Sequence, residues 1–376
     1  MRDAVIVDAV RSPIGKRNGS LAETHPADLS GHVLKALAER TGFDPSIVED
    51  VHWGCVSNVG EQAINVGRTG VLAAGWPTSV PSVTMNRACG SSQQAVSVAA
   101  ATVISGQADI IVAGGVESMT RVPMGAASQG GDANPPSVLE RFGVDGFNQG
   151  LGAEMVAERW GFSRTFLDEY SARSHELAAQ ATDAGAFTKQ IAPIAGLEVD
   201  EGIRRGSSAE SLAKLKPAFK EDGVIHAGNA SQISDGAGAL LITTSEIAEQ
   251  NGWSPMARIH TAVVAGDDPV IMLTGPIPAT ALALRKSGLK IDDIGAFEVN
   301  EAFAPVPLAW QTETGAPIEK MNPLGGAIAV GHPLGGSGAI LMTRLVHHMR
   351  DNGIRYGLQT MCEAGGMANA TILELL

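Results

Sequence analysis

The sequence predicts an α/β protein assembled from two like halves, and three observations carry that prediction. Short β-branched runs alternate with segments of helical spacing, the grammar of the first third returns in the last, and 376 residues exceed what one compact core accommodates. "AVIVDAV" (4–10) predicts the first strand. From Asp28 to Arg40, Leu29, Val33, Leu34 and Leu37 share one helical face, and Gly42 follows as a stop. "VEDVHWGCV" (48–56) predicts a second strand, Ser91 to Ser105 an Ala/Val-rich helix, and "ADIIVAGG" (108–115) a strand running into paired glycines. Strands separated by helices point to a largely parallel sheet.

The C-terminal part repeats this order. "IDDIGAFEVNEAFA" (291–304) has the acidic turn, strand and polar loop of the segment that starts at Val48. "GGSGAILMTRLVHHMRDNGIRYGLQTMCEAGG" (335–366) follows "CGSSQQAVSVAAATVISGQADIIVAGG" (89–115): a Gly/Ser turn, a helix, a strand, a Gly pair. That is an internal duplication. Between the halves the pattern changes: "GAASQGGDANPPS" (125–137) is loop-like, Asp168 to Ala186 predicts a polar helix, and residues 204–220 hold five Lys or Arg against one Glu. The predicted division is therefore a first half at 1–121 completed by 235–255, an inserted loop domain at 122–234 suited to ligand binding, and a second half at 256–376.

A net charge of −13 and a pI near 5.1 argue against nucleic acid as a partner. The sequence has no apolar run of the roughly 18 residues a membrane span needs. "MRDAVIVDAVRSPIG" has the character of a strand rather than a secretion signal, and with three widely spaced cysteines (Cys55, Cys89, Cys362) that form no disulfide or metal pattern, a cytoplasmic protein is expected. "PIGKRNG" lacks the residues of a phosphate-binding P-loop, and "GHPLGGSG" lacks dinucleotide spacing.

Four residues stand out as candidates for chemistry. Cys89, in "NRACGSSQQAV", lies at a strand-to-helix turn whose helix N-terminus favours a thiolate, although a free cysteine is as often simply buried. His332, on the Gly-rich loop "GGAIAVGHPLGGSGAI", is a candidate base for a cysteine nucleophile; His347 and His348 lie mid-helix and carry no such context. Cys362 in "TMCEAGG" and Asn300 in "EVNEAFA" sit at strand ends, where α/β folds place their sites; burial and a turn cap are the plain alternatives.

The blocks "NRACGSSQQAV", "VAGGVESMTRVP", "AGNASQISDGAGALL", "VNEAFA", "GGAIAVGHPLGGSGA" and "CEAGGMANATI" occur in order along the whole chain, which resembles the thiolase family of acyl-CoA acyltransferases. The resemblance implies a five-layered αβαβα core of two duplicated halves with an inserted loop domain, a homodimer or homotetramer, acyl-CoA substrates, and coenzyme A as substrate with no tightly bound cofactor. It implies reversible cleavage of a 3-ketoacyl-CoA, with Cys89 as acyl acceptor, His332 as its base, Cys362 as second acid/base and Asn300 holding an oxyanion-hole water. Arg204, Ser211 and Ser231 match positions that bind CoA. The basic neighbours Arg205, Lys214, Lys216 and Lys220 are taken as a solvated face.

Three positions depart from the family pattern: Ala364 replaces the first Gly of C-x-G-G-G, Gly336 replaces an Ala, and Asn148-Gln149-Gly150 replaces the His-Met-Gly of short-chain biosynthetic members. The last resembles degradative enzymes acting on longer, branched or steroid-derived chains. A biosynthetic thiolase, a decarboxylating condensing enzyme and a non-catalytic acyl-CoA carrier are the competing readings; Cys362 argues against the second, and the joint presence of Cys89, His332, Asn300 and Cys362 against the third. An NAD-linked oxidoreductase lacks its nucleotide fingerprint.

Overall fold

Local chemistry forms the first elements close to where the sequence places them. The computed structural model describes residues 2–376. Strand β1 (Val5–Arg11) is buried along almost its whole length. Helix α1 (Pro26–Thr41) opens with proline in its first turn, buries Leu29, Val33, Leu34 and Leu37, and closes on Gly42 at φ 74°. The other strands are β2 (Gly15–Lys16), β3 (Asp50–Gly54), β4 (Ser82–Met85), β5 (Ile111–Ser118), β6 (Ser234–Thr243), β7 (Ala257–Gly266), β8 (Ala296–Val299), β9 (Tyr356–Glu363) and β10 (Met367–Leu375). The helices continue as α2 (Val66–Ala73), α3 (Ser91–Ser105), α4 (Pro136–Phe142), α5 (Gln149–Trp160), α6 (Arg164–Asp183) and α7 (Ala209–Leu212). They end with α8 (Ser245–Gln250), α9 (Pro276–Ser287), α10 (Pro305–Thr314), α11 (Ala327–Val330) and α12 (Ser337–Asn352).

The duplication extends to strand order. The first half runs β4-β3-β5-β6-β1; the second runs β8-β9-β10-β7, with Met321 bridging in parallel to Phe297 on β8 as β4 does to β3. In both halves the order by chain position is third, second, fourth, fifth, first. The senses repeat too: β3 is parallel to β4 and β5, and β8 to β9, whereas β5–β6, β6–β1, β9–β10 and β10–β7 are antiparallel. The expected largely parallel sheet is therefore corrected to a mixed one. Its cause is the connections: β9 returns as β10 through a turn with Gly365 and Gly366 at φ 85° and 72°, and a hairpin can only pair antiparallel strands. The two halves join edge to edge at Val5↔Arg258 and Ile6↔Ala257 alone.

Five layers result. α1 and α2 cover one face of the first half-sheet, with Leu34, Val51, Trp53 and Val112 in their shared core. α9 contacts β7, β9 and β10 of the second, and α10 packs beside α9. Between the half-sheets lie α3 and α12, each touching strands of both. Val96, Ala99 and Val103 of α3 and Met342, Leu345 and Val346 of α12 fill that middle core. β5 is buried throughout, Ile111 and Ala113 serving the middle core and Val112 and Val116 the outer one. Between β5 and β6 the chain makes its long excursion through α4 to α7, pinned to β1 by a buried bidentate pair from Arg11 to Asp200 at 2.6 and 3.0 Å.

The two central helices meet at closest range near their N-termini. A Cβ at Gly338 would overlap Gln93, Ala339 N donates to Ser92 Oγ at 2.9 Å, and Gln359 Nε2 donates to both Gln93 Oε1 (3.1 Å) and Gly338 O (2.9 Å). Gly338→Ala is expected to cost about 1–3 kcal/mol of stability through overpacking. It should appear as a lower denaturation midpoint; an unchanged midpoint would mean that the helices have room to separate.

Candidate active site

Cys89 stands on a turn that its neighbours hold from several sides. Ala88 occupies the left-handed region at φ 46°, an unfavourable conformation for a residue with a Cβ. Three side-chain bonds fix it: Ala88 N donates to Asn86 Oδ1 (2.9 Å), Ser91 Oγ donates to Ala88 O (2.6 Å), and Arg87 N donates to Ser91 Oγ (2.9 Å). Gly90 is the N-cap of α3, so Ser91 and Ser92 serve the turn and the contact with α12 rather than the cap. The Cys89 side chain is buried and packs with Leu341 and Met361, while Leu334 closes against the group. Leu334 lies on the loop of His332, and Met361 precedes Cys362. The structure thus sets Cys89 between the segments that carry His332 and Cys362.

His332 enters on a loop opened by Gly331 at φ 107° and is 3% exposed. Its Nδ1 lies 2.6 Å from Ser337 Oγ, which gives its own single proton to Pro333 O at 2.9 Å. Ser337 can then only accept from the ring, which assigns the proton of the neutral ring to Nδ1 and leaves Nε2 with its lone pair. Asn300 Nδ2 faces that Nε2 at 3.4 Å. Asn300 Oδ1 is buried without a partner, an unmet acceptor of the kind that marks functional sites. The next residue secures this strand end: Glu301 accepts from Tyr170 Oη (2.8 Å), Ser174 Oγ (2.7 Å) and Ile328 N (3.1 Å), tying it to α6 and α11.

Burial sets the charge state. It lowers the His332 imidazole to about 4. It pushes the Cys89 thiol up to about 12, with Glu363 and Glu117 adding to the effect. Cys362, 1% exposed at the end of β9, is raised by burial, then by a charge on Cys89, then by Glu363. The helix N-terminus favours a Cys89 thiolate, as expected from the sequence, but burial opposes it and keeps the thiol protonated. At rest the site holds neutral thiols and a neutral imidazole. Ala364 lies outside the left-handed region, so its Cβ imposes no backbone strain there.

A second region lies alongside. A cavity of about 600 Å³ is lined by Lys16, Arg17, Glu201, Arg204, Ser231 and Gln232 among others. It brings Arg204 and Ser231 together and leaves out Ser211, whose hydroxyl donates to Ser208 O at 2.8 Å in a capping box at α7. His175 Nδ1 accepts from Arg204 N at 3.1 Å, and burial then Arg204 lower that imidazole to about 4. Gln232 links the cavity to the site: its Nε2 donates to Ile328 O and Ala329 O at 2.9 Å, and its carbonyl accepts from His332 N at 3.1 Å. Arg205 pairs with Asp183 at the exposed surface.

Sequence reasoning missed Ser337, Lys16 and Arg17. "GGSG" invites reading its serine as a cap only, and "GKRNG" is informative once a phosphate loop is set aside and the two cations are weighed for their charge. Among the described residues no group of three His, Cys, Asp or Glu is placed to hold a metal ion, and no helix is long and apolar enough to cross a membrane.

Comparison with known proteins matches this geometry to one family. Residues 4–246 match the model of the thiolase N-terminal domain and residues 253–375 that of the thiolase C-terminal domain. The chain is 48% identical to steroid 3-ketoacyl-CoA thiolase FadA6 of Mycobacterium tuberculosis, over 100% of this chain and 95% of that protein. It is 42% identical to a 3-ketoacyl-CoA thiolase of Pseudoalteromonas translucida, over 100% and 99%. Among solved structures, the acetyl-CoA acetyltransferase of Bacillus anthracis superimposes with a TM-score of 0.93 at 36% identity, over 100% and 99% of the two chains. Two half-sheets of one topology, a cysteine turn between them and these full-length relatives lead to one assignment: the chain belongs to the thiolase family.

Proposed function

We propose that the chain is a degradative acyltransferase, cleaving a 3-ketoacyl-CoA with free CoA into acetyl-CoA and a shortened acyl-CoA through an acyl group on Cys89. The observation that carries this reading is the convergence on Cys89 of the loop bearing His332 and the strand bearing Cys362, with Asn300 facing His332 Nε2. Relatives named as 3-ketoacyl-CoA thiolases support the reaction class. The division into residues 1–121 with 235–255, 122–234 and 256–376 goes with it, the inserted segment supplying the CoA surface through Arg204 and Ser231 beside Lys16 and Arg17. The proposal extends to a cytoplasmic homodimer or homotetramer; β4, an edge strand with Val83 exposed, supports assembly.

The charge state directs the mechanism. A thiol raised to about 12 beside an imidazole lowered to about 4 does not form a resting ion pair. Cys89 therefore surrenders its proton to His332 Nε2 as its sulfur bonds to the keto carbon, and the negative charge passes to the keto oxygen. His332, now cationic, stabilises that oxyanion together with a water held by Asn300. Breaking the C–C bond leaves the acyl group on Cys89 and an acetyl-CoA enolate, whose carbon takes the proton of Cys362. Cys362 then accepts the thiol proton of incoming CoA, whose sulfur attacks the acyl carbon. Cys89 departs and regains its proton from His332. The backbone N–H of Ala364 would serve as donor if it belongs to a second oxyanion hole, because its φ is not positive.

Peptide mass spectrometry after brief exposure to 3-ketoacyl-CoAs of graded length, without free CoA, is expected to find an acyl adduct on Cys89. Fastest loading by acetoacetyl-CoA would favour the biosynthetic reading, and acyl-CoA binding with no adduct at any length would favour a carrier. Cys362→Ala should slow C–C cleavage more severely than CoA-dependent release of an acyl group already on Cys89; equal losses would mean that Cys362 serves both half-reactions alike or is structural.

Protonation of the buried base has a stability consequence. The folded imidazole of His332 lies below its unfolded value, so between about 4 and 6.5 the unfolded chain binds more protons and stability falls as pH drops through that window. Calorimetric unfolding at pH 5 should show the wild type taking up about one proton more than His332→Asn. Equal uptake would mean that the folded ring is already charged.

A further inference from the structure

Gly90, between Cys89 and α3, owes its missing Cβ to residues of the opposite half. A methyl there would overlap Glu363 Oε1 and lie 2.9 Å from Asn369 Oδ1. Two acceptor oxygens thus converge on one point behind Cys89. Glu363 is 0% exposed, and both its carboxyl oxygens and Asn369 Oδ1 are buried without a well-formed hydrogen bond, the Asn369 backbone N–H lying near the carboxyl. The amide nitrogen of Asn369 serves Gln94 Oε1 instead, at 3.4 Å. Converging lone pairs cut off from water repel each other, and a proton on the carboxyl converts that repulsion into an O–H···O=C hydrogen bond.

The groups facing Glu363 are few. Arg87, from the turn before α3, places Nη1 3.9 Å from Met367 Sδ and leaves Nε unpartnered. Cys89 precedes Gly90, Cys362 is the neighbour on β9, and Glu117 of β5 acts on Cys89 from another side. β10 contributes only the uncharged Asn369 and Met367. Burial raises the Glu363 carboxyl to about 8 against the pull of Arg87 and of the Asn369 backbone N–H, and both thiols respond to its charge.

We propose that Glu363 is a positioning residue that stands as a neutral carboxylic acid hydrogen-bonded to Asn369 beneath Gly90, and that its proton keeps a further negative charge away from Cys89 and Cys362 while they form thiolates. The inference rests on the reading of Cys89 as nucleophile. When Glu363 ionises, its carboxylate opposes the thiolate that alkaline pH would otherwise promote.

The test is the rate of Cys89 alkylation by iodoacetamide, followed by peptide mass spectrometry from pH 6 to 10, in the wild type, Glu363→Gln and Asn369→Asp. Glutamine keeps the shape, donates an N–H to Asn369 and never ionises. It should match the wild type at pH 7 and react about tenfold faster at pH 9.5. Asn369→Asp sets a second carboxyl against Glu363, so that the pair shares one proton and keeps one negative charge at pH 7; alkylation there should slow about tenfold. A packing role alone would move both variants in the same direction at every pH. Superimposable profiles, or shifts of one sign, overturn the proposal. If Glu363→Gln does not fold, an unchanged rate at pH 7 in Asn369→Asp overturns it. Iodoacetamide needs no acyl substrate, so either failure leaves acyl transfer standing, whereas loss of the acyl adduct on Cys89 would defeat that reading instead.

Discussion

The approach of α3 to α12 at Gly338 and Gln93 is the constraint on which the rest depends. Each helix begins at a loop of the site: α3 follows Cys89, and α12 follows the turn from His332 to Gly336. Because the N-terminal ends meet with no side chain between them, the two loops share one end of the middle layer. The hydrogen bonds from Ala339 to Ser92 and from Gln359 to Gln93 fix that contact in register as well as in distance. The same need for closeness recurs around it. A Cβ on Gly54 would overlap Ser92, and one on Gly335 would press on Cys55 and Glu117. Glu117 ties these parts together, accepting from Val56 N, Ser57 N, Gln62 Nε2 and Gly335 N at 2.8 to 3.0 Å. Small residues here let backbone pack on backbone, which explains how a core poor in aromatic residues reaches native density.

Such packing excludes water, and dryness governs the electrostatics. Every titratable group proposed to act is shifted toward its neutral form: both thiols upward, the imidazole downward, the neighbouring Glu363 upward. A site of this kind keeps little charge until a substrate supplies somewhere to put it. The interior elsewhere does the opposite. Arg11 and Asp200 are fully buried as a bidentate pair, and the Arg11 guanidinium also lies over the ring of Phe187. Pairing makes charge tolerable where structure alone is served, and its absence around the thiols keeps them neutral.

Much of this was legible in the residues. Ser91 to Ser105 forms the predicted helix, α12 begins at Ser337, and Gly42 adopts the left-handed cap expected of it. Glycine-rich blocks announced the duplicated turns because only close approach demands so many residues without side chains. Sheet sense was not legible, since a periodic apolar run looks the same in either direction and only the connections reveal which applies. The thiol shift escaped for a related reason: a helix N-terminus is visible in sequence, whereas the carboxyls that oppose it arrive from β5 and β9. Ser337 is a spacing of five residues from His332, short enough to find, but its role depends on Pro333 taking its proton. Ser211, matched by motif, lies in the capping box of α7, a local role that its spacing from Ser208 makes readable.

The narrow seam between the halves bears on how the chain comes into being. The half-sheets pair as strands at two residue pairs, and α3 and α12 of the middle layer touch both. As the polypeptide leaves the ribosome, the first half has α3 but not α12, and its inward apolar face has nothing to lie against. That face has no α12 to pack on until residues 337–352 are made, and β9 and β10 follow later still. Cys89 therefore emerges early and waits for Asn300, His332 and Cys362, all from the last quarter of the chain. Until α12 and β9 are made, the residues that pack over Cys89, Leu341 and Met361, are missing, and its thiol has no cover.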